Sequence, residues 1–327
     1  MTHSAEVSWQ LDGIDMFGTF TSPPSGGPFP AVAMVAGSGP TDRDWNSPAL
    51  PGTNGSAALL AEALAGAGIA SIRYDKRASG PHVVQNLPAI SGRLSMRSHL
   101  DELVAAVDAL AARPEVDASR IAGLGNSEGC LHVLYYATSA QAVPFAGIVL
   151  AAPPGRSIGE VLLTQLSMQL GLVPGGAELF PLVEEAAARY SAGDPMDADP
   201  RLPEGVRMVL ASFETPVNLP FARELWNEDA TETLAEVELP TLVLIGRKDV
   251  QVDAVADGGP LQRAAAALPN VTFAFPPNAN HVLKEDLRSD EERATAPSVG
   301  YNEPGTRLDP EALGAILDGL RPVLLPH

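Results

Sequence analysis

The stretch IAGLGNSEGCLHVL, residues 121–134, decides the fold of this chain, because an apolar run passes through a tight Gly-x-Ser-x-Gly turn into a helix-like segment. We predict a strand, a sharp turn and a helix, with Ser127 at the corner. Gly125 and Gly129 leave room for a strained backbone that exposes the serine hydroxyl. The helix N-terminus behind the turn favours developing negative charge. The pattern therefore indicates that Ser127 is a nucleophile.

The same letters fit a second interpretation, a dinucleotide-binding turn of the G-x-G-x-x-x-G type. That fingerprint expects an acidic residue near the end of the next strand, where this chain reads LAAPPG, residues 150–155. It also normally opens the first βαβ unit of a domain rather than a late one. We therefore prefer the nucleophile and expect no cofactor.

Composition limits the classes of protein to which the chain can belong. Its 327 residues are 45% hydrophobic, which is ample for a sizeable core, and its net charge is −19. That charge argues against nucleic acid or an anionic membrane surface as a partner, because both would be repelled. No cluster of His, Cys or Asp has the spacing of a metal site, so we expect no metal.

The sequence also carries signals about location. Cys130 is the one cysteine, so no intramolecular disulfide calls for an oxidising compartment. No segment approaches the roughly 20 apolar residues that span a bilayer, and the first residues lack the pattern of a signal peptide. We expect a soluble, cytoplasmic protein, and the sequence leaves its oligomeric state unknown.

Short apolar runs alternate with amphipathic segments, which is typical of an α/β protein with a mostly parallel sheet and helices on both faces. We predict about eight strands, of which the first two form an antiparallel hairpin. A helix is predicted over residues 98–111, with a capping box in its opening letters SHLD. The predicted strands are residues 6–10, 14–20, 31–37, 69–75, 120–126, 147–153, 241–247 and 271–275.

This alternation breaks once, after the sixth strand, where the next strand lies much farther away than a usual crossover allows. We predict a helical cap over residues 155–237, inserted into a sheet core of residues 1–154 and 238–327. Ser157 and Glu160 form a capping box at its start. An apolar stripe follows and is expected to pack on the sheet or line an acyl pocket; its residues are Ile158, Leu162, Leu166 and Leu170. Further helices are predicted at residues 177–190, 204–213 and 220–226.

A serine hydroxyl needs a base, and the base needs an acid to orient it. Asp249 follows the strand at residues 241–247, and His281 lies in the loop after the next strand. Because the carboxyl ends of parallel strands share one edge, these residues can converge with Ser127, in the chain order Ser, Asp, His. We predict a catalytic triad of Ser127, His281 and Asp249, with Asp253 as the alternative acid. The remaining internal histidines, at positions 82, 99 and 132, are interpreted as structural.

Four blocks of sequence then carry a resemblance to a known family. They are GSGPTDRD (residues 37–44), IRYDKRASG (residues 72–80), GNSEG (residues 125–129) and GRKDVQVD (residues 246–253). With them the chain resembles the α/β-hydrolase superfamily, and within it the bacterial carboxylesterases and the S33-type serine aminopeptidase-like hydrolases. Asn126 stands where such proteins often have His, and Ala78 replaces a common Gly. Neither position belongs to the triad, but both bear on how a substrate is oriented.

The resemblance implies an α/β-hydrolase fold and an oxyanion hole built from two backbone N–H groups. Glu128, which follows the nucleophile, offers one of them. By similarity to HG-x motifs, Ser38 offers the other, with Gly39 as the second choice. The acidic and basic residues at positions 42–44 of the same loop are interpreted as a salt-bridged clamp.

Together these features predict a serine hydrolase that cleaves small carboxylic esters through an acyl-enzyme. Neutral short-to-medium acyl groups are expected, because the net charge steers anionic ones away. An S33-type aminopeptidase or amidase is the alternative, and it would need cap acids to hold a substrate ammonium. Acyl transfer to an alcohol is also open, and a non-catalytic binder of a small ligand is the competing class. The available cap acids are Glu184, Glu185, Glu224 and Glu228.

Overall fold

One sheet of eight strands organises the computed structural model, which describes residues 2–325. Every predicted strand is present, so the predicted sheet is confirmed. Met1 and residues 326–327, the outermost parts of the predicted sheet core, lie outside the described range. The strands are β1 (His3–Leu11), β2 (Ile14–Ser22), β3 (Phe29–Val35), β4 (Ala70–Tyr74), β5 (Val116–Asn126), β6 (Ile148–Ala151), β7 (Thr241–Leu244) and β8 (Val271–Ala274).

The strands lie in the order β1-β2-β4-β3-β5-β6-β7-β8 across the sheet. β1 and β2 form the predicted antiparallel hairpin, in which Leu11 pairs with Ile14 across a two-residue turn. Asp12 and Gly13 of that turn have φ values of 52° and 78°, the left-handed backbone that such turns require. From β4 to β8 all neighbouring strands are parallel, so their carboxyl ends share one edge of the sheet.

Helices cover both faces of the sheet, as β3 illustrates. Ala33 and Val35 pack in the same apolar cluster as residues of the third and fourth helices, whereas Val32 and Met34 pack with residues of the first and last. This alternation is what the two-residue period of a strand dictates. The helices are α1 (Ser56–Gly66), α2 (Val83–Ile90), α3 (Met96–Ala111), α4 (Gly129–Thr138), α5 (Ile158–Gly171), α6 (Phe180–Ser191), α7 (Glu204–Ser212), α8 (Phe221–Leu225), α9 (Thr231–Ala235), α10 (Gly258–Ala264), α11 (Asp290–Thr295) and α12 (Pro310–Leu324).

The start of α3 differs from the prediction. Its N-cap is Ser95 rather than Ser98, and the helix begins at Met96. The backbone N–H of Ser98 donates to the Ser95 hydroxyl at 3.1 Å, and the backbone N–H of Ser95 donates to the Ser98 hydroxyl at 2.8 Å. This reciprocal pair is a capping box that lies about one turn before the predicted one. The helix therefore begins at Met96, earlier than predicted.

Helices α5 to α9 lie between β6 and β7, where the sequence predicts a helical insertion. Ser157 and Glu160 form the predicted capping box of α5. Of the predicted apolar stripe, Ile158 packs against the apolar cluster of the sheet, whereas packing on the sheet is wrong for Leu162, Leu166 and Leu170; the acyl pocket stays a prediction. These leucines pack with residues of α6 and α7 in a separate apolar cluster, because those helices cover them. The boundaries 155 and 237 stay a prediction.

Candidate active site

Ser127 occupies the turn between β5 and α4 with a φ of 55°, a strained conformation for a serine. Its N–H donates to the carbonyl oxygen of Ala151 on β6 at 2.8 Å, which holds the turn in place. A β-carbon on Gly125 would lie 2.4 Å from the Gly129 oxygen, and one on Gly129 would lie 2.6 Å from the Val35 oxygen. The close backbone approach therefore requires both glycines. Ser127 itself is partly exposed between buried neighbours.

His281 follows β8 and Asp249 follows β7. Nδ1 of His281 lies 2.8 Å from Oδ2 of Asp249, and both residues are buried. The other carboxylate oxygen of Asp249 accepts the backbone N–H groups of Gln251 and Val252, at 2.8 and 3.0 Å. The carboxylate is thus held on both sides and can orient the imidazole as an acid-base catalyst requires.

Asp253, the alternative acid, has a different environment. Its Oδ1 accepts the backbone N–H groups of Val255 and Ala256, at 2.8 and 2.6 Å, so this carboxylate caps its own turn. Asp249 is the acid that accepts the hydrogen bond from Nδ1 of His281. The geometry favours Asp249 of the two acids.

Asn126 joins the serine segment to the histidine segment. Its Nδ2 donates to the carbonyl oxygen of His281 at 3.1 Å and to that of Ala151 at 3.3 Å. The residue that precedes Ser127 therefore touches the backbone of His281 directly. The three residues predicted as a triad lie at one edge of the sheet, and their catalytic roles stay predictions.

The loop after β3 passes beside this turn. A β-carbon on Gly37 would lie 3.0 Å from the β-carbon of Ser127. Ser38 and Gly39, which follow in that loop, are exposed. Glu128 is the N-cap residue of α4 on the other side of Ser127. The predicted oxyanion donors thus flank the serine from two segments, and their function also stays a prediction.

Ion pairs hold the loop after β3 against β4, as predicted for its charged residues. Arg43 binds the Asp75 carboxylate through Nε at 2.9 Å and through Nη2 at 2.6 Å. Asp44 pairs with Nε of Arg73 at 2.5 Å. A two-bond contact between a guanidinium and a carboxylate fixes direction as well as distance. The loop that carries Ser38 is therefore clamped.

Lys76 is a residue of the site that the sequence reasoning missed. It lies just after β4, is buried, and its Nζ donates both to the carbonyl oxygen of Gly37 and to Oε1 of Glu128, each at 2.8 Å. The available signal was its rarity and position, because the chain has only three lysines and this one directly follows a buried strand.

His132 completes this buried group. Nε2 of His132 lies 3.1 Å from Oε1 of Glu128. Because a carboxylate can only accept, Nε2 carries the proton and donates this hydrogen bond. Burial lowers the pKa of His132 to about 4, so the ring is neutral at pH 7. Burial works to raise the pKa of Glu128, but the Lys76 ammonium and the His132 hydrogen bond hold that pKa well below its ordinary value.

Cys130 lies beneath the same turn. Its thiol is buried and donates to the carbonyl oxygens of Gly125 and Ala151, at 3.2 and 3.3 Å. Burial raises the pKa of this thiol well above its ordinary value. A protonated, inaccessible thiol is a poor nucleophile, so Cys130 fills space under Ser127.

An open depression of about 340 Å³ lies between α5 and α6, away from these residues. None of the predicted catalytic residues lines it. Its lining residues are Leu163, Thr164, Ser167, Met168, Phe180 and Glu184. The sheet edge, where the orienting hydrogen bonds converge, is therefore the candidate site.

No group of three or more His, Cys, Asp or Glu side chains among residues 2–325 is arranged to hold a metal ion. Nor does any helix described there have the length and apolar character to cross a membrane.

Comparison with known proteins adds independent findings. A family model described as "Alpha/beta hydrolase family" matches residues 32–291, a range that contains every candidate residue named above. Esterase EstD of Thermotoga maritima is 27% identical over 237 residues, which cover 72% of this chain and 50% of EstD. The chain therefore spans about half the length of this curated relative.

Solved structures share the fold over nearly the whole chain. A proline iminopeptidase from Mycobacterium smegmatis has a TM-score of 0.57 at 16% identity, covering 98% of this chain and 99% of that one. An esterase from Pyrococcus furiosus has a TM-score of 0.55 at 16% identity, with coverage of 98% and 91%. At such identities the likeness concerns the fold alone.

Proposed function

This chain belongs to the alpha/beta hydrolase family, and on that premise we propose that it is a serine hydrolase that cleaves carboxylic esters. The observation that carries the proposal is the 2.8 Å hydrogen bond between His281 and Asp249, beside the strained turn that bears Ser127. A base oriented by a fixed carboxylate near a partly exposed serine is the arrangement that serine catalysis needs.

In the proposed mechanism, Oγ of Ser127 attacks the ester carbonyl while Nε2 of His281 takes its proton. Asp249 stabilises the resulting imidazolium. The N–H groups of Ser38 and Glu128 bind the oxyanion of the tetrahedral intermediate, with Gly39 as the second choice for the first donor. His281 then returns the proton to the leaving alcohol, and water releases the acid by the same steps.

We further propose that residues 155–237 act as a cap over this site. Gln165 of α5 donates to the carbonyl oxygen of Gln251, two residues after Asp249, at 3.4 Å. The backbone N–H of Gly92 donates to the carbonyl oxygen of Pro216 at 2.6 Å, which ties the insertion to the loop after α2. These contacts support a cap that reaches the carboxyl ends of the strands.

Neutral short-to-medium acyl esters are the proposed substrates. The net charge of −19 disfavours anionic acyl groups, and the matched relative carries the name esterase. The single buried cysteine fits the cytoplasmic location that we propose with this function.

An aminopeptidase would need a free acid in the cap to bind a substrate ammonium. Three of the four cap acids have other partners: Glu185 pairs with Arg189 at 3.0 Å, Oε2 of Glu224 accepts the backbone N–H of Met96, and Glu228 accepts the hydroxyl of Tyr135. Only Glu184 borders an open depression, and that depression excludes the candidate triad. These contacts favour the ester over the peptide.

The test is labelling with a fluorophosphonate probe, followed by kcat/KM on p-nitrophenyl esters from acetyl to palmitoyl, on a succinyl ester, and on prolyl and alanyl anilides. We expect Ser127→Ala to abolish labelling and to lower kcat by about 10⁴-fold or more. Ser56→Ala, at a buried serine outside the site, is the matched control and should behave as wild type. Faster turnover of the anilides would transfer the proposal to the aminopeptidase class, and labelling that survives in Ser127→Ala would refute it.

A further inference from the structure

Lys76 connects the two segments that flank Ser127. Its side chain is 5% exposed, and that of its partner Glu128 is 2% exposed. One ammonium group donates to Oε1 of Glu128 and to the carbonyl oxygen of Gly37, at equal distances of 2.8 Å. Gly37 precedes the loop residue Ser38, and Glu128 directly follows the nucleophile. A single charged group therefore touches both sides of the predicted oxyanion hole.

The contact with Gly37 acts on a particular peptide group. The carbonyl of Gly37 and the N–H of Ser38 belong to the same planar unit, and in a trans peptide they point in opposite directions. An ammonium that holds the carbonyl oxygen consequently fixes the direction of the Ser38 N–H. It also polarises the peptide, which makes that N–H a stronger donor.

The contact with Glu128 acts on the second donor. Oε1 of this carboxylate accepts hydrogen bonds from both Lys76 Nζ and His132 Nε2, so the end of the Glu128 side chain is held in place. With its side chain fixed in this way, the Glu128 backbone at the start of α4 cannot rotate freely. The N–H of Glu128 is thereby held at the position that follows Ser127.

The charges of Lys76 and Glu128 balance each other, which allows both groups to be buried. Lys76 is a cation, Glu128 is an anion, and His132 is a neutral donor whose Nδ1 has no partner among the described residues. A buried cation paired with a buried anion avoids the cost of an isolated charge. The ammonium thus remains available to the Gly37 carbonyl.

We propose that Lys76 is a positioning residue of the oxyanion hole, which aligns the backbone N–H donors of Ser38 and Glu128 through one ammonium group. This inference rests on the proposed hydrolase function. Residues that orient a catalytic group without touching the substrate commonly change the activity by about 10- to 100-fold when they are replaced. An effect of that size should appear in the transition state, where the oxyanion exists, and hardly in the binding of the neutral ester.

The experiment compares two buried ion pairs, whose basic residues Lys76 and Arg77 both follow β4. The test variants are Lys76→Met and the double variant Lys76→Met/Glu128→Gln, which leaves no buried carboxylate without a partner. The matched control is Arg77→Met/Glu102→Gln, whose Nε–Oε1 distance is also 2.8 Å and whose side chains are 6% and 0% exposed. That pair makes no hydrogen bond to Gly37, Ser38 or Glu128 in the described residues.

The readouts are kcat and KM on p-nitrophenyl acetate and the inhibition constant of an aryl trifluoromethyl ketone. In that inhibitor, Ser127 Oγ bonds to the carbonyl carbon, the carbonyl electron pair becomes the oxyanion, and His281 holds the displaced proton. We expect the test variants to lose about 10- to 100-fold in kcat and the same factor in inhibitor affinity, with little change in KM. The control pair should lose stability but keep both values.

Equal kcat and inhibitor affinity in test and control variants would overturn the role of Lys76, while labelling of Ser127 would leave the proposed function standing. A wild-type protein that neither labels at Ser127 nor hydrolyses esters would refute the function, and the inference with it. If Lys76→Met fails to fold, the double variant and Glu128→Gln alone give the answer. Unchanged inhibitor affinity in both would likewise overturn the inference.

Discussion

The carboxyl edge of the sheet and the inserted helices are held together by different forces. At the sheet edge, polar groups that are far apart in sequence meet one another, as Asn126 meets the His281 carbonyl and His281 meets Asp249. Helices α5 to α7 of the insertion instead pack around an apolar cluster of their own, in which Leu166 and Trp226 are buried.

The difference has a physical meaning. Hydrogen bonds weaken steeply when distance or angle changes, so the sheet edge holds its atoms to specific positions. Apolar packing is non-directional, and cores tolerate substitutions that preserve volume. The first region therefore fixes the relative positions of individual atoms, whereas the second keeps its packing through many volume-preserving exchanges.

The largest expected effect comes from the acid at the sheet edge. Asp249→Asn keeps the shape of the side chain but removes the charge that orients His281, and we expect kcat to fall by about 10⁴-fold. Asp253→Asn is the matched control, because its carboxylate caps a turn and the exchange should change kcat little. Steady-state kinetics on p-nitrophenyl acetate decides between them. The reverse ranking would show that the acid is Asp253.

The inserted helices should respond in stability rather than in chemistry. Leu166 is 2% exposed, and Leu166→Ala removes apolar contacts and leaves a cavity, at a cost of about 2–5 kcal/mol in the free energy of unfolding. Leu172→Ala, at a residue that is 51% exposed, should change it by about 0.5 kcal/mol or less. Urea titrations measure both values. A folded Leu166→Ala protein whose kcat collapses would break the comparison between the two regions.

The smallest expected effect is a loss of stability at acidic pH that is caused by the buried imidazole of His132. Burial lowers the pKa of His132 from 6.5 to about 4, so between these values the unfolded chain binds a proton that the folded protein does not. Stability should therefore fall on acidification from about pH 6.5 to about pH 4, by about 3 kcal/mol at most from this group. The pKa of Glu102 is lowered from 4.5 to about 2 and that of Glu128 is also held well below 4.5, so the stability that these carboxylates contribute is lost only below about pH 4.5.

The matched variant for this prediction is His132→Gln, which keeps a donor for Glu128 but does not titrate. Urea midpoints at pH 7.5 and pH 5 should differ more in the wild-type protein than in the variant. An identical pH dependence in both proteins would contradict the assignment of this window to His132.

Local patterns carried most of what the sequence predicts correctly. The eight strands, the turn at Ser127 and the capping box of α5 depend on neighbouring residues, whose spacing is visible in one stretch. The start of α3 was missed because two serines three residues apart, Ser95 and Ser98, both suit a capping box, and only the fold selects one.

Contacts across the chain account for the rest. The apolar stripe of α5 is evident in the sequence, but the helices that cover it are known only from the structure. Lys76 meets Gly37 and Glu128 across separations of 39 and 52 residues, and no periodicity encodes such a meeting. Residue types and spacing predict which groups are chemically able to act, whereas the fold decides which of them touch.

The buried thiol of Cys130 gives the chain a practical property. Because it is the one cysteine and is inaccessible, maleimide reagents should leave the native protein unmodified. Cysteines introduced at Met208 in the insertion and at Val84 on α2, which are 65% and 73% exposed, would then be the accessible attachment points for a pair of fluorophores. Energy transfer between the dyes would report the distance between the insertion and α2 in a single molecule.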